Sequence, residues 1–181
     1  MKVEETYLKG AYIITPNVFE DERGYFLETF KEKVFVNKTG VETHFVQDNM
    51  SKSSKGVLRG LHFQEGDNAQ SKLIQVIKGR VLDVCVDIRK DSSTFGKYFS
   101  IMLDGINKQQ LYIPRGFAHG FIVLENDTIF SYKCDNYYNA DSESGIIFND
   151  KFLNIDWGLS EDEILVSEKD KKLLTFETLF K

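Results

Sequence analysis

The chain has 181 residues, of which 41% are hydrophobic and 28% charged, which suits one folded domain over residues 1–181 and excludes a disordered polymer. Its 23 Lys and Arg against 28 Asp and Glu leave a formal charge of -5, so neither a whole-protein basic face for nucleic acid nor a polybasic membrane anchor is present. An anionic ligand would have to find its cations locally. No apolar run approaches the roughly 20 residues of a membrane helix, and Met1-Lys2-Val3-Glu4-Glu5 leads into no apolar signal region. Cys85 and Cys134 lie far apart inside apolar runs. They read as two core thiols of a cytoplasmic protein.

Helical signals are confined to the edges. The first covers Glu28 to Asn37, with Phe30, Val34 and Phe35 apolar, and stops before Gly40. Most of Tyr12 to Cys134 reads as short strands between turns, consistent with 15 Phe and 8 Tyr. Gly56 to Phe63, Lys72 to Ile77 and Arg80 to Ile88 come first, with Lys78-Gly79 as a hairpin turn between the second and third. In the third, Leu82, Val84, Val86 and Ile88 alternate with Asp83, Cys85 and Asp87, the pattern of a strand with one buried face. Tyr98 to Leu103, Gln109 to Ile113, Gly116 to Leu124 and Thr128 to Cys134 follow. Near the C-terminus, Ser160 to Glu163 and Ser167 to Asp170 each match a helix capping box. Many short antiparallel strands with small peripheral helices predict an all-β fold, a double-sheet jelly roll or a related barrel.

Several chemistries lack their residues. There is no dinucleotide-binding G-x-G-x-x-G, P-loop, G-x-S-x-G elbow, H-E-x-x-H or C-x-x-C. With only His44, His62 and His119 in the chain, a three-histidine metal centre would need all of them. What stands out is polarity on apolar strands. Arg59, Lys72, Gln47, Asn49 and Tyr132 interrupt strand-like runs, and charged groups in such places line cavities more readily than they enter cores. Arg59 and His62 are three apart and would face opposite sides of a regular strand. If both serve one pocket, a bulge at Gly60 must slip the register.

These residues belong to a longer set. Asp21 to Phe26 (DERGYF), Phe45 to Asn49 (FVQDN), Gly56 to Gln64 (GVLRGLHFQ), Ala69 to Leu73 (AQSKL) and Val86 to Arg89 (VDIR) are followed by Pro114 to Phe121 (PRGFAHGF), Tyr132-Lys133, Asn136 to Tyr138 (NYY) and Ser167 to Asp170 (SEKD). In this order they make the chain resemble the dTDP-4-dehydrorhamnose 3,5-epimerases, sugar-nucleotide epimerases of the cupin superfamily. The resemblance implies a cupin-type double-sheet jelly roll, a dTDP-4-keto-6-deoxyhexose substrate, no cofactor and no metal. It also implies a reaction that inverts C3 and C5, both adjacent to the C4 ketone, in dTDP-L-rhamnose synthesis. Relatives that invert only C3 or only C5, or act on other 4-ketosugars, keep most of the same motifs.

By that resemblance His62 is the base, with Asp170 orienting it, although Asp170 also completes the capping box begun by Ser167. Lys72 stabilises the enolate oxygen, helped by Arg59, and Tyr132 is the acid on the opposite face. Arg23 and Arg59 would hold the diphosphate and Tyr138 would stack on thymine. Glu28, Gln47, Asn49, His119, Glu143 and Lys169 match further substrate contacts. Family members are commonly dimers in which an N-terminal segment reaches the partner's site. A homodimer is therefore implied, with Arg23 acting in its own or the partner's site.

Two rivals are weaker. A metal-dependent cupin carries H-x-H on the strand, whereas His62-Phe63-Gln64 lacks one ligand, which leaves His62, Gln64 and His119 as the candidate set. A non-catalytic sugar-nucleotide binding module would keep Arg23 and Tyr138 but have no use for His62, Asp170 and Tyr132 together.

Overall fold

The computed structural model describes residues 1–181. In chain order the elements begin with β1 (Lys2–Glu5), β2 (Tyr12–Thr15), β3 (Val18–Asp21), β4 (Gly24–Leu27), α1 (Glu32–Thr39) and β5 (Gln47–Ser53). The central strands are β6 (Val57–Gln64), β7 (Lys72–Lys78), β8 (Arg80–Asp87), β9 (Tyr98–Asp104), β10 (Gln110–Ile113), β11 (Phe117–Val123) and β12 (Thr128–Cys134). Short β13 (Glu143–Gly145), β14 (Leu165–Val166) and α2 (Phe176–Phe180) complete the chain. No helix is long and apolar enough to cross a membrane.

The strands form two facing sheets, as the all-β jelly-roll expectation requires. One runs β1-β2-β10-β7-β12-β5, the other β13-β6-β11-β8-β9 with β14 beside β6, and β3-β4 is a separate hairpin. Alternate residues of both sheets point inward. In one half of that interior they are apolar: Ile74, Val76, Leu111 and Phe130 of the first sheet pack against Val81, Cys85, Phe121 and Val123 of the second. Each such fully buried side chain contributes about 1.5–3 kcal/mol, whereas an unpaired buried ion costs several. The other half carries Asn49, Lys72 and Tyr132 of the first sheet and Arg59, His62 and His119 of the second, and there the sheets enclose a cavity instead of a core.

Three local expectations are corrected. Lys78-Gly79 is not a hairpin, because β7 lies in the first sheet and β8 in the second. Gly79, at φ +81°, turns the corner between sheets, and a Cβ there would stand 2.2 Å from Thr128 Oγ1. β8 is buried on both faces: Val81 and Cys85 face the other sheet, while Val84 and Val86 pack under Leu153, Trp157 and Phe176 of the C-terminal segment. Helix α1 starts at Glu32, not Glu28, because β4 keeps the chain extended to Leu27 and the Thr29 carbonyl accepts from Gln110 Nε2 at 2.8 Å. It ends at Gly40 in the left-handed conformation, as expected of a C-terminal glycine.

The C-terminal segment carries part of the site. Buried Asp150 accepts from the N–H groups of Phe152 and Leu153 with one oxygen and from Phe176 N–H, at 2.7 Å, with the other. This clamp holds α2 and its aromatic residues on the outer face of the second sheet. Between Asp150 and α2, β14 pairs parallel with Val57-Leu58, which delivers the turn at Asp170 to the middle of β6.

Candidate active site

The register of β6 decides which side chains meet. Opposite β11, His62 pairs with His119 but Arg59 pairs with Phe121, so β6 carries one extra residue at Gly60-Leu61. The bulge reverses the alternation. Leu58 and Leu61, three apart, both pack in the outer core, and Arg59 and His62, also three apart, both line the cavity. The expected slip at Gly60 is therefore present. Only glycine fits there, since a Cβ would stand 2.5 Å from Gly120 Cα.

The cavity has a volume of about 680 Å³, within the usual range for a small-molecule site. Arg59, Lys72 and Lys169 line it against one carboxylate, Asp170. These are the local cations that an acidic chain needs for an anionic ligand. Phe121 forms part of the wall and stacks on Phe130 of the facing sheet, with ring centroids 3.8 Å apart.

His62 Nε2 lies 2.8 Å from Asp170 Oδ1. The other carboxylate oxygen accepts from Gly60 N–H, so it meets the bulge itself. Burial works to raise the Asp170 pKa, but its bonds to and charge attraction for His62, with the Gly60 and Ser167 groups, outweigh this and hold it below the usual carboxylate value. The capping role survives in part: the Asp170 N–H donates to Ser167 Oγ at 3.1 Å, while the carboxylate serves His62.

Across the cavity, Tyr132 stands on β12 with Lys72 beside it on β7, the Lys72 Nζ 5.9 Å from the Tyr132 ring centroid. Burial raises the Tyr132 pKa, so the phenol keeps its proton. Burial lowers that of Lys72, opposed by the nearby Cys134, Asp83 and Glu143. His119 Nε2 lies 2.9 Å from Asp83 Oδ2, a second imidazole–carboxylate pair that is almost wholly buried. Desolvation lowers the His119 pKa against the pull of Asp83. Asp83 escaped the sequence reading because strand alternation made it solvent-facing; its signal was a charge inside the apolar run Val81 to Val86.

Of the predicted site residues, Asn49, Arg59, His62, Lys72, His119, Tyr132, Lys169 and Asp170 line this one cavity. Gln47, Tyr138 and Glu143 do not line it but are bonded to residues that do. The Gln47 amide accepts from Tyr138 N–H and donates to Asn49, both at 3.0 Å. Tyr138 donates its hydroxyl proton to Glu143 Oε2 at 2.7 Å, and Glu143 also pairs with Lys169. Arg23 and Glu28 are not at the cavity of their own chain. Arg23 forks onto Asp21 at the tip of the separate β3-β4 hairpin, and Glu28 pairs with Lys31. Gln64, the third member of the candidate metal set, turns its amide to Asn68, Tyr137 and Asn139 and away from His62.

A family model described as dTDP-4-dehydrorhamnose 3,5-epimerase matches residues 5–178. The chain belongs to the dTDP-4-dehydrorhamnose 3,5-epimerase family. It is 48% identical over 181 residues to the Escherichia coli K12 enzyme of that name, covering 100% of this chain and 97% of the relative. The crystal structure of the dTDP-4-dehydrorhamnose 3,5-epimerase from Elizabethkingia anophelis NUHP1 superposes with a TM-score of 0.96 at 55% identity, covering 100% of this chain and 99% of that one. The dTDP-6-deoxy-D-glucose-3,5-epimerase of Legionella pneumophila Philadelphia 1, solved with dTDP-4-keto-L-rhamnose, gives 0.93 at 45% identity, covering 97% and 93%.

Proposed function

We propose that this epimerase inverts C3 and C5 of dTDP-4-keto-6-deoxyglucose through enolate intermediates, in the route to dTDP-L-rhamnose. The observation that carries the residue roles is the delivery of His62 and Tyr132 into one cavity from opposite sheets. His62 takes the proton from the carbon adjacent to the ketone, and Asp170 orients the imidazole and balances the imidazolium. The electron pair moves into the C4 oxygen, where the Lys72 ammonium, in a partly desolvated site, counters the new charge. Tyr132 then gives its proton to the other face of the carbon, which inverts the centre. His62 and Tyr132 return to their starting states by proton exchange with solvent. The cycle has no net redox change, so no hydride carrier enters it.

His119, held by Asp83, and Asn49 contact the sugar. Arg59 and Lys169 contact the diphosphate, and exposed Tyr138 offers its ring to thymine. Such stacking contributes about 1–3 kcal/mol per base. The β3-β4 hairpin bonds to no other strand and exposes Phe19, Tyr25 and Phe26. That supports a homodimer in which the hairpin brings Arg23 and Glu28 to the partner's cavity. The protein works in the cytoplasm, where its nucleotide substrate is made.

Incubation with the 4-keto-6-deoxyglucose nucleotide in deuterated water, followed by NMR, tests the activity. Deuterium is expected at both C3 and C5 with inverted configuration. Label at one centre means a monofunctional enzyme, and no label refutes the epimerase chemistry.

A further inference from the structure

Tyr138 sits where three sets of hydrogen bonds diverge. Its backbone N–H begins a chain through Gln47 and Asn49, whose Nδ2 donates to Cys134 Sγ at 3.7 Å. In the sheet, Cys134 is the cross-strand neighbour of Lys72, and Asn49 is that of Tyr132. From its phenol a second chain runs through Glu143 to Lys169, the residue before Asp170. Glu143 also starts β13, whose Gly145 pairs with His62. A third set ties the neighbouring backbone at Tyr137 and Asn139 to Gln64, two residues beyond His62 on β6.

Both walls of the cavity are thus linked to one exposed ring. Gln47 bonds at both ends of its amide, and Glu143 receives a phenol and an ammonium on one oxygen. We propose that Tyr138 couples occupancy of the nucleotide subsite to the placement of the catalytic side chains, with Gln47 and Glu143 as positioning residues. This rests on the epimerase reading above.

The physical basis is differential binding. A base stacked on Tyr138 holds that residue in place, ring and backbone together, so the phenol stays on Glu143 and the backbone N–H on Gln47. Binding energy realised far from the reacting carbon then orients His62, Asp170, Lys72 and Tyr132 in the transition state and raises kcat rather than only lowering KM. A ring that is merely a platform would act on KM alone.

Tyr138→Phe keeps the stacking surface and removes one hydrogen bond, at a residue exposed enough for folding to be unaffected. With dTDP-4-keto-6-deoxyglucose, kcat is expected to fall about tenfold, the loss of one hydrogen bond to a charged group, with KM changed by less than about twofold. With 4-keto-6-deoxyglucose 1-phosphate, which has no base to stack, wild type and Tyr138→Phe are expected to be equally slow. The double variant Tyr138→Phe/Glu143→Gln is expected to lose no more than Tyr138→Phe alone. An unchanged kcat with a raised KM overturns the coupling, as do losses that multiply in the double variant. Wild-type protein inactive on both substrates overturns the epimerase reading itself, and the coupling with it.

Discussion

His62→Ala is expected to abolish deuterium incorporation at both C3 and C5, with kcat lowered by about 10²–10⁴, the usual contribution of a positioned general base. Two features of the chain concentrate that role on one side chain. The slip at Gly60 turns His62 into the cavity, and the C-terminal turn sets Asp170 against its Nε2. His119 is a poorer base, because it is almost wholly buried and burial opposes its protonation. Asp170 is almost wholly buried and loses its imidazole partner in this variant, so a fall in thermal stability is expected as well, and exchange is measured below the melting temperature of the variant. Asp170→Asn keeps the imidazole but loses the carboxylate that orients and balances it, and is expected to fall between wild type and His62→Ala. Rapid exchange at either carbon in His62→Ala would remove it as the base.

Lys72→Met is expected to lower kcat by about 10²–10³, the range found for removing one stabiliser of a developing oxyanion. The same substitution is expected to raise the melting temperature. Lys72 forms no salt bridge, and its burial disfavours the charged form, so the ammonium costs stability at rest. Methionine fills nearly the same volume without that charge. Opposite signs for rate and stability separate a lysine kept for chemistry from one kept for structure. Steady-state kinetics and a thermal melt on the same preparation supply both. Unchanged kcat, or a fall in both quantities, contradicts the electrophile role.

Strand positions were largely legible because Phe, Tyr, Val and Ile cluster between turn residues; Thr128 to Cys134 matches β12 end for end. The bulge was legible too, from the odd spacing of Arg59 and His62 beside a glycine. Sheet membership was not. Two residues such as Lys78-Gly79 can close a hairpin or turn a corner, and only pairing with distant strands decides between them. The double burial of β8 was hidden for the same reason, since the segment that covers it lies about as far away as the chain allows. Within the site, His62 and Asp170 are 108 residues apart, and a capping box explained Asp170 locally. No spacing rule could join them, and the family resemblance did. The resemblance also named Arg23 and Glu28, which do not line the cavity of the single chain.

Action of base and acid on opposite faces of one enolate predicts that exchange and inversion separate in Tyr132→Phe. The measurement is the ratio of solvent exchange to inversion at C5, read by NMR of the sugar nucleotide in deuterated water. With His62 intact and the phenol gone, proton removal continues but delivery from the far face fails. Deuterium is expected at C5 largely with retained configuration, and inversion is expected to be strongly reduced. Inversion at the wild-type rate in Tyr132→Phe would contradict the two-sided mechanism.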